Sequence, residues 1–299
     1  MATKTLQERV KEIASGRGSR TQRLEDLCYI LGLPVADALQ ALEIYKPVKK
    51  QHTPKDVTFG VEIECYDIVK LSLTEAVGAK GVSIQCEGYN HRDNDRYYKI
   101  VNDGSINGYN SAEIVSPILK GKEGMKSLKT VCDTLCELGA KVNRSCGLHV
   151  HLDAKGMDIK HWRNLYINYA RLENIIDSFM PRSRRGNNNG FCRSIALYPR
   201  LETIIMQCNS VEDIVNYFRS RYFKINVEAF RRHGTVEFRH HGGTVEFEKV
   251  SMWVNFLQKL LAYSKNNTVE NCATIEDVPF LTEKEKRYFR QRITTLAAR

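Results

Sequence analysis

Three short segments concentrate the side chains that bind cations and phosphates: Gly60-Val61-Glu62-Ile63-Glu64, Gly147-Leu148-His149-Val150-His151-Leu152 and Gly234-Thr235-Val236-Glu237-Phe238-Arg239. Each alternates apolar and ionisable residues, and a strand sends successive side chains to opposite faces. The alternation predicts three half-buried strands. Val61, Ile63, Leu148, Val150, Leu152, Val236 and Phe238 would face a core. Glu62, Glu64, His149, His151, Glu237 and Arg239 would line the other side. If the strands share one sheet, that side offers carboxylate and imidazole donors for divalent cations and a planar cation for phosphate.

Any one of these strands also fits a solvated sheet face, because antiparallel sheets commonly leave one side in water. For Glu62 and Glu64 alone, or for His149 and His151 alone, that bland reading stands. Together the three are harder to explain so. Neighbouring same-face carboxylates repel, and each segment follows a glycine closely, which permits close backbone approach.

The chain has 299 residues, with 42% hydrophobic and 27% charged residues, ordinary values for a globular protein. Residues 1–20 are polar, without the apolar region of a signal peptide, and no apolar run has membrane-spanning length; a cytoplasmic protein is expected. Nine cysteines at scattered spacing include no Cys-x-x-Cys pair, which argues against a zinc ribbon and for reduced, buried thiols. The net charge of +10 is concentrated in residues 17–23, 182–193, 219–232 and 284–299. Such patches suit nucleic acid or another polyanion, and equally several arginines serving a triphosphate.

Residues 1–46 read as helices: one over 5–14, then two across a Gly32-Leu33-Pro34 turn. This pair resembles a helix-turn-helix, but no basic cluster marks its second helix, so a helical cap is favoured. Residues 47–54 read as a linker. From Val57 strands and helices mix. Helical patterns cover 71–79, 128–138, 162–179, 250–261 and 283–298. Strands are expected near 82–86, 96–101, 112–118 and 222–227, the first three as an antiparallel meander. Residues 182–189 read as a mobile, basic loop. The expected architecture is α+β: an antiparallel sheet with helices on one face and a polar site on the other, in a domain spanning 55–299 behind an N-terminal extension of 1–50.

Five motifs, in order, resemble those of the amidoligase family within the glutamine synthetase and glutamate–cysteine ligase superfamily. They are Gly60 to Glu64, Asp103-Gly104-Ser105, Ala112-Glu113-Ile114-Val115-Ser116-Pro117, Cys146 to His151, and Gly234 to His240, with Gly243-Thr244 and Trp253 further along. The resemblance spans residues 57–264. It implies a glutamine synthetase-like fold and an ATP-dependent carboxylate–amine ligase working through an acyl phosphate, with Mg²⁺ or Mn²⁺. Carried over, Glu62, His149 and Glu237 are implied as ligands of a cation between the ATP phosphates. Glu64 and Glu113 are implied for a cation nearer the substrate carboxylate, where Glu87, Asp103 or a water would complete the set. Arg239 is implied as the phosphate clamp and His151 as a nucleotide contact, while Arg221 and Asn226 match an Arg-Tyr and Asn of the family.

Arg182, Arg184, Arg185 and Arg193 fit either a solvated basic loop or a lid whose arginines reach triphosphate or substrate, Arg193 foremost because an apolar run comes after it. Cys146 reads as a buried thiol, Asp103 and Ser105 as turn-formers or site residues. His240 and His241 fit surface positions or supports beneath the site. A His-x-His zinc hydrolase is the competing enzyme class; the excess of glutamate over histidine argues against it. A nucleic-acid binder using the N-terminal helices is a third reading, and it leaves the acidic strand pairs unexplained. The carboxylate and the amine are not named by the sequence; peptide, protein, amino-acid and polyanionic substrates all fit, and neither a membrane nor a particular oligomer is expected.

Overall fold

The computed structural model describes residues 5–15, 20–44, 57–88, 90 and 92–298. The linker expected at 47–54 lies outside them. The chain divides into two compact units, 1–52 and 53–299. In the first, α1 (Leu6–Ala14), α2 (Arg20–Leu31) and α3 (Val35–Ile44) bury Ala14, Leu27, Ala38 and Leu42. Thr5 caps α1 in a reciprocal box with Glu8.

The second unit runs β1 (Phe59–Cys65), α4 (Lys70–Ala79), β2 (Ile84–Cys86), β3 (Tyr98–Val101), β4 (Ala112–Val115), α5 (Gly121–Glu137), β5 (Gly147–Asp153) and α6 (Ile159–Ser178). It continues through α7 (Leu201–Gln207), α8 (Val211–Phe218), β6 (Ile225–Asn226), α9 (Ala229–His233), β7 (Thr235–Gly242), α10 (Phe247–Ser264) and α11 (Glu283–Ala297). Among the described residues the strands form one seven-stranded sheet in the order β2-β3-β4-β1-β5-β7-β6. The fold is mixed α+β. No helix among the described residues is long and apolar enough to cross a membrane.

The alternation decides which face is packed. Val61, Ile63, Leu148, Val150, Leu152, Val236 and Phe238 are buried in one core with Trp162, Leu165, Tyr169, Leu172 and Ile176 of α6 and Trp253, Val254 and Leu257 of α10. The spacing of three and four puts each helix's apolar residues on a single stripe. Asp158 starts α6 by accepting from the His161 N–H at 2.7 Å.

Three expectations need correction. The segment β2-β3-β4 is not an antiparallel meander, because β2 pairs parallel with β3 and only β3–β4 is antiparallel. The connection between them is long enough to return the chain to the starting edge. The strand expected over 222–227 contracts to Ile225–Asn226. The basic segment 182–189 is not irregular loop throughout. It opens with a single 3-10 turn, Arg182–Arg184, and Arg184 is only 3% exposed.

One irregularity shapes the site. On the β5–β7 edge Leu148 faces His241 while Val150 faces Phe238, so Arg239 and His240 together stand opposite His149. This bulge shifts the phase of β7 by one residue. His240 and His241 therefore both lie beneath the sheet, fully buried and 3% exposed respectively. Neither is a surface position.

Candidate active site

The registers bring the ionisable residues of separate strands into one row. Glu62 faces His149 and Glu64 faces Glu113 across β1; His151 faces Glu237 across β5–β7, and Asn226 faces Glu237 across β6–β7. Glu62, Glu64, Glu113, His149, His151, Asn226, Glu237 and Arg239 all line one cleft of about 1490 Å³. Glu62, His149 and Glu237 each offer a ligand atom, all within 4.8 Å of one another, and so do Glu64, Glu113 and His149. His149 is shared by the two groups.

Around that pair of clusters the polar contacts are dense. His149 Nδ1 lies 2.9 Å from Glu62 Oε2 and 3.7 Å from Glu237 Oε1, and His149 Nε2 lies 3.5 Å from Glu64 Oε1. The Gly147 N–H donates to Glu64 Oε2 at 2.6 Å. The Asn226 amide donates to Glu237 Oε2 at 2.6 Å, and the Arg239 guanidinium pairs with Glu237 Oε1. His151 Nδ1 meets Thr235 Oγ1 at 3.0 Å, and its Nε2 lies 3.4 Å from Glu62 Oε1. A Cβ at Gly147 would come within 2.7 Å of His149 Nε2 and 3.3 Å of Arg184 Nη2, so a larger residue there would displace these site side chains.

The electrostatics are divided. Burial alone would raise the Glu62 carboxyl, but His149 and His151 hold it well below its usual range. Burial likewise opposes Glu237, and Arg239 and His151 hold it low. Burial disfavours a charged His151, yet Glu62 and Glu237 raise its pKa. Glu113 goes the other way: burial and then the charges of Glu62, Glu64 and Asp103 push it well above the ordinary carboxylate value. The cluster is short of positive charge at its β4 end. Four carboxylates and one imidazole at these separations fit hard divalent cations better than zinc, whose preferred ligands are histidine and thiolate.

Glu113 yields an expected pH dependence. Its folded pKa lies above the unfolded value, so between the two the native state keeps a proton that the unfolded chain has lost. Stability from this group is full below the unfolded pKa and falls as pH rises through the folded one. Melts across roughly pH 5 to 8 in chelator should show that fall for wild type, with Mg²⁺ reducing it and Glu113→Gln flattening it. Identical slopes for wild type and Glu113→Gln would refute this account.

Of the arginines in 182–193, Arg182 and Arg184 line the cleft. Arg185 donates to the Met180 carbonyl at 2.8 Å. Arg193, favoured from the sequence, is not among the cleft-lining residues. It bonds Ser220 Oγ at 3.0 Å and lies over the Phe223 ring at 4.4 Å. A backbone bridge to Phe223 fixes this, turning the side chain outward. Arg221 lines the cleft and Asn226 reaches it through Glu237. Asp103 and Ser105 line it too, whereas Glu87 is engaged by Tyr97 and Asn90 outside it. Cys146 is buried.

Two features went unread in the sequence. Thr235 shares the face of Glu237 and Arg239, so the alternation already held that signal. Lys224, fully buried between Glu173 at 2.9 Å and Asp177 at 2.7 Å, had none.

A family model described as "Putative amidoligase enzyme" matches residues 55–261. No curated protein matches the chain. Among solved structures it is similar to a bifunctional glutathione synthetase from Pasteurella multocida, with 12% identity and a TM-score of 0.39 over 84% of this chain and 48% of that one. The chain thus spans about half the length of that protein.

Proposed function

Because the chain belongs to the amidoligase family, we propose that it is an ATP-dependent carboxylate–amine ligase with a glutamine synthetase-like catalytic unit over residues 55–299. The observation that carries this reading is the pair of overlapping donor clusters with the Arg239 guanidinium beside them. In the proposed reaction the ATP γ-phosphoryl group passes to a substrate carboxylate, giving ADP and an acyl phosphate. An amine then attacks the acyl carbon, phosphate leaves, and the nitrogen loses a proton to give the amide.

Phosphoryl transfer of this kind asks a protein chiefly for positioning and charge neutralisation. Glu62, His149 and Glu237 would hold one divalent cation and Glu64 and Glu113 a second, Mg²⁺ or Mn²⁺; a neutral imidazole has one ring nitrogen to give, so His149 would serve one of them. When bound, these cations supply neutralisation of phosphoryl and carboxylate oxygens. Arg239 clamps charge developing on the transferring group, and His151 and Arg221 contact the nucleotide. Asn226 and the Gly147 N–H orient Glu237 and Glu64 through the 2.6 Å contacts described above. The basic rim of the cleft, including Lys155, Arg231 and Arg232, favours an acidic or polymeric substrate.

Calorimetry tests the nucleotide half directly. ATP binding should need Mg²⁺ or Mn²⁺, and equal affinity in excess chelator would sink the reading. Stoichiometric, tightly held zinc would instead favour the hydrolase built on His149 and His151.

A further inference from the structure

Two buried cations, Lys99 and Arg184, line the cleft without a carboxylate partner among the described residues. Lys99 Nζ donates to Asn90 Oδ1 at 3.1 Å and to the Arg92 carbonyl at 2.7 Å, whereas Arg184, 3% exposed, keeps a buried nitrogen with no partner. A guanidinium has five N–H donors. Nη2 donates to the Cys146 carbonyl at 2.7 Å, Nη1 reaches the Arg239 carbonyl only at 3.5 Å, and Nε is buried without a partner. The nearby Cys192 does not supply the missing charge, because burial pushes its thiol up and keeps it neutral. Lys224, by contrast, has two carboxylates. A buried charge without a counter-ion is costly, and this one is left facing a cleft.

Its place says which ligand it awaits. Arg184 Nη2 and His149 Nε2 lie on the same side of Gly147, 3.3 and 2.7 Å from where a Cβ would stand, and the Gly147 N–H binds Glu64. That is the Glu64–Glu113 end of the row. His151 and Thr235 mark the other end, three to four residues along β5 and at the start of β7.

We propose that Arg184 is the oxyanion receptor for the acid substrate, receiving a carboxylate oxygen at the Glu64–Glu113 end of the cleft. This rests on the ligase reading of the cleft and adds to it the side chain that recognises the acid. The free N–H bonds of the guanidinium take the anion, and its charge is compensated only then.

The test uses the full chain as wild type, Arg184→Met and Arg184→Lys, with sodium acetate and inorganic phosphate as probes against sodium chloride at equal ionic strength. Wild type should melt higher in acetate than in chloride, and Arg184→Met should lose that shift, with acetate binding weakened about tenfold or more. Arg184→Met in chloride should melt no lower than wild type, since it removes an uncompensated charge. Arg184→Lys should keep part of the shift, which guards against a Met variant that fails to fold. MgATP affinity, read by calorimetry, should stay within about twofold. Absence of an acetate shift in wild type, or its persistence in Arg184→Met, overturns the proposal. So does a shift with phosphate alone, or a tenfold loss of MgATP affinity, either of which would assign Arg184 to the nucleotide. Failure of wild type to bind MgATP at all would instead remove the ligase reading, and the acetate arms would still report on Arg184.

Discussion

Glu237→Gln should reduce ADP formation by about a hundredfold or more, since it deletes a preorganised charge where phosphoryl oxygens would be neutralised, while the fold stays intact. The amide keeps the shape of the carboxylate and can still accept from Asn226. Arg239 loses its nearest partner but keeps the field of Glu62 and Glu64, which also hold its guanidinium protonated. Glu62 in turn loses a like charge. These effects oppose each other, so the melting temperature without cations should move by only a few degrees. A purely structural ion pair predicts the reverse: a stranded buried charge costing about 3–5 kcal/mol with activity retained. Arg239→Lys should be comparably severe for ADP formation, because lysine cannot make a two-pronged contact with phosphate. Melts in chelator, run beside an ADP-release assay on pools of acids and amines, separate the two cases. A destabilised but fully active Glu237→Gln would show the strand to be scaffolding.

The largest expected effect on stability lies under the sheet. Lys224→Met should cost about 3–5 kcal/mol, because it strands the carboxylates of Glu173 and Asp177 in the interior. For a unit of this size that is a fall of roughly 10 °C in melting temperature. The same carboxylates hold the chain above them: Asp177 accepts from the Gly186 N–H at 2.8 Å, and Glu173 from the Ile195 and Ala196 N–H groups at 3.0 and 3.1 Å. Those three amides should lose hydrogen-exchange protection before the amides of the sheet. Burial opposes the Asp177 charge, yet His240 and Lys224 hold its pKa down to about 2. Its contribution is therefore present above the unfolded carboxylate pKa and is lost as pH falls toward the folded one. A triple variant with Glu173→Gln and Asp177→Asn should recover part of the loss. A Lys224→Met protein that melts like wild type would refute the network's importance.

The residues most legible in the sequence were those governed by period two. Val61 and Glu62, Leu148 and His149, Phe238 and Glu237 went to opposite faces because the pleat leaves no other choice. The row formed by Glu62, His149 and Glu237 came with them once the strands were neighbours. What the sequence hid was non-local. Three residues of β2 carry no pattern that could reveal a parallel partner. Arg193 and Arg184 have the same local chemistry, and only the bridge to Phe223 sends one outward while the carbonyl of Cys146 draws the other in. Lys224 sits in a stretch of chain whose composition reads as surface, and it is buried because two acids from α6 meet it.

The bulge in β7 also bears on which changes the chain can tolerate. Substitutions at Arg239 or His240 alter one side chain, but losing either residue would leave a single residue opposite His149 and remove the bulge. Losing Arg239 would draw His240 from its contacts with Tyr169 and Asp177 beneath the sheet into the cleft position, and losing His240 would abolish those contacts. β7 therefore behaves as a strand with a reading frame. Length variation should be absent between Glu237 and Gly242 in any working descendant of this chain, whereas point variation there is graded by chemistry.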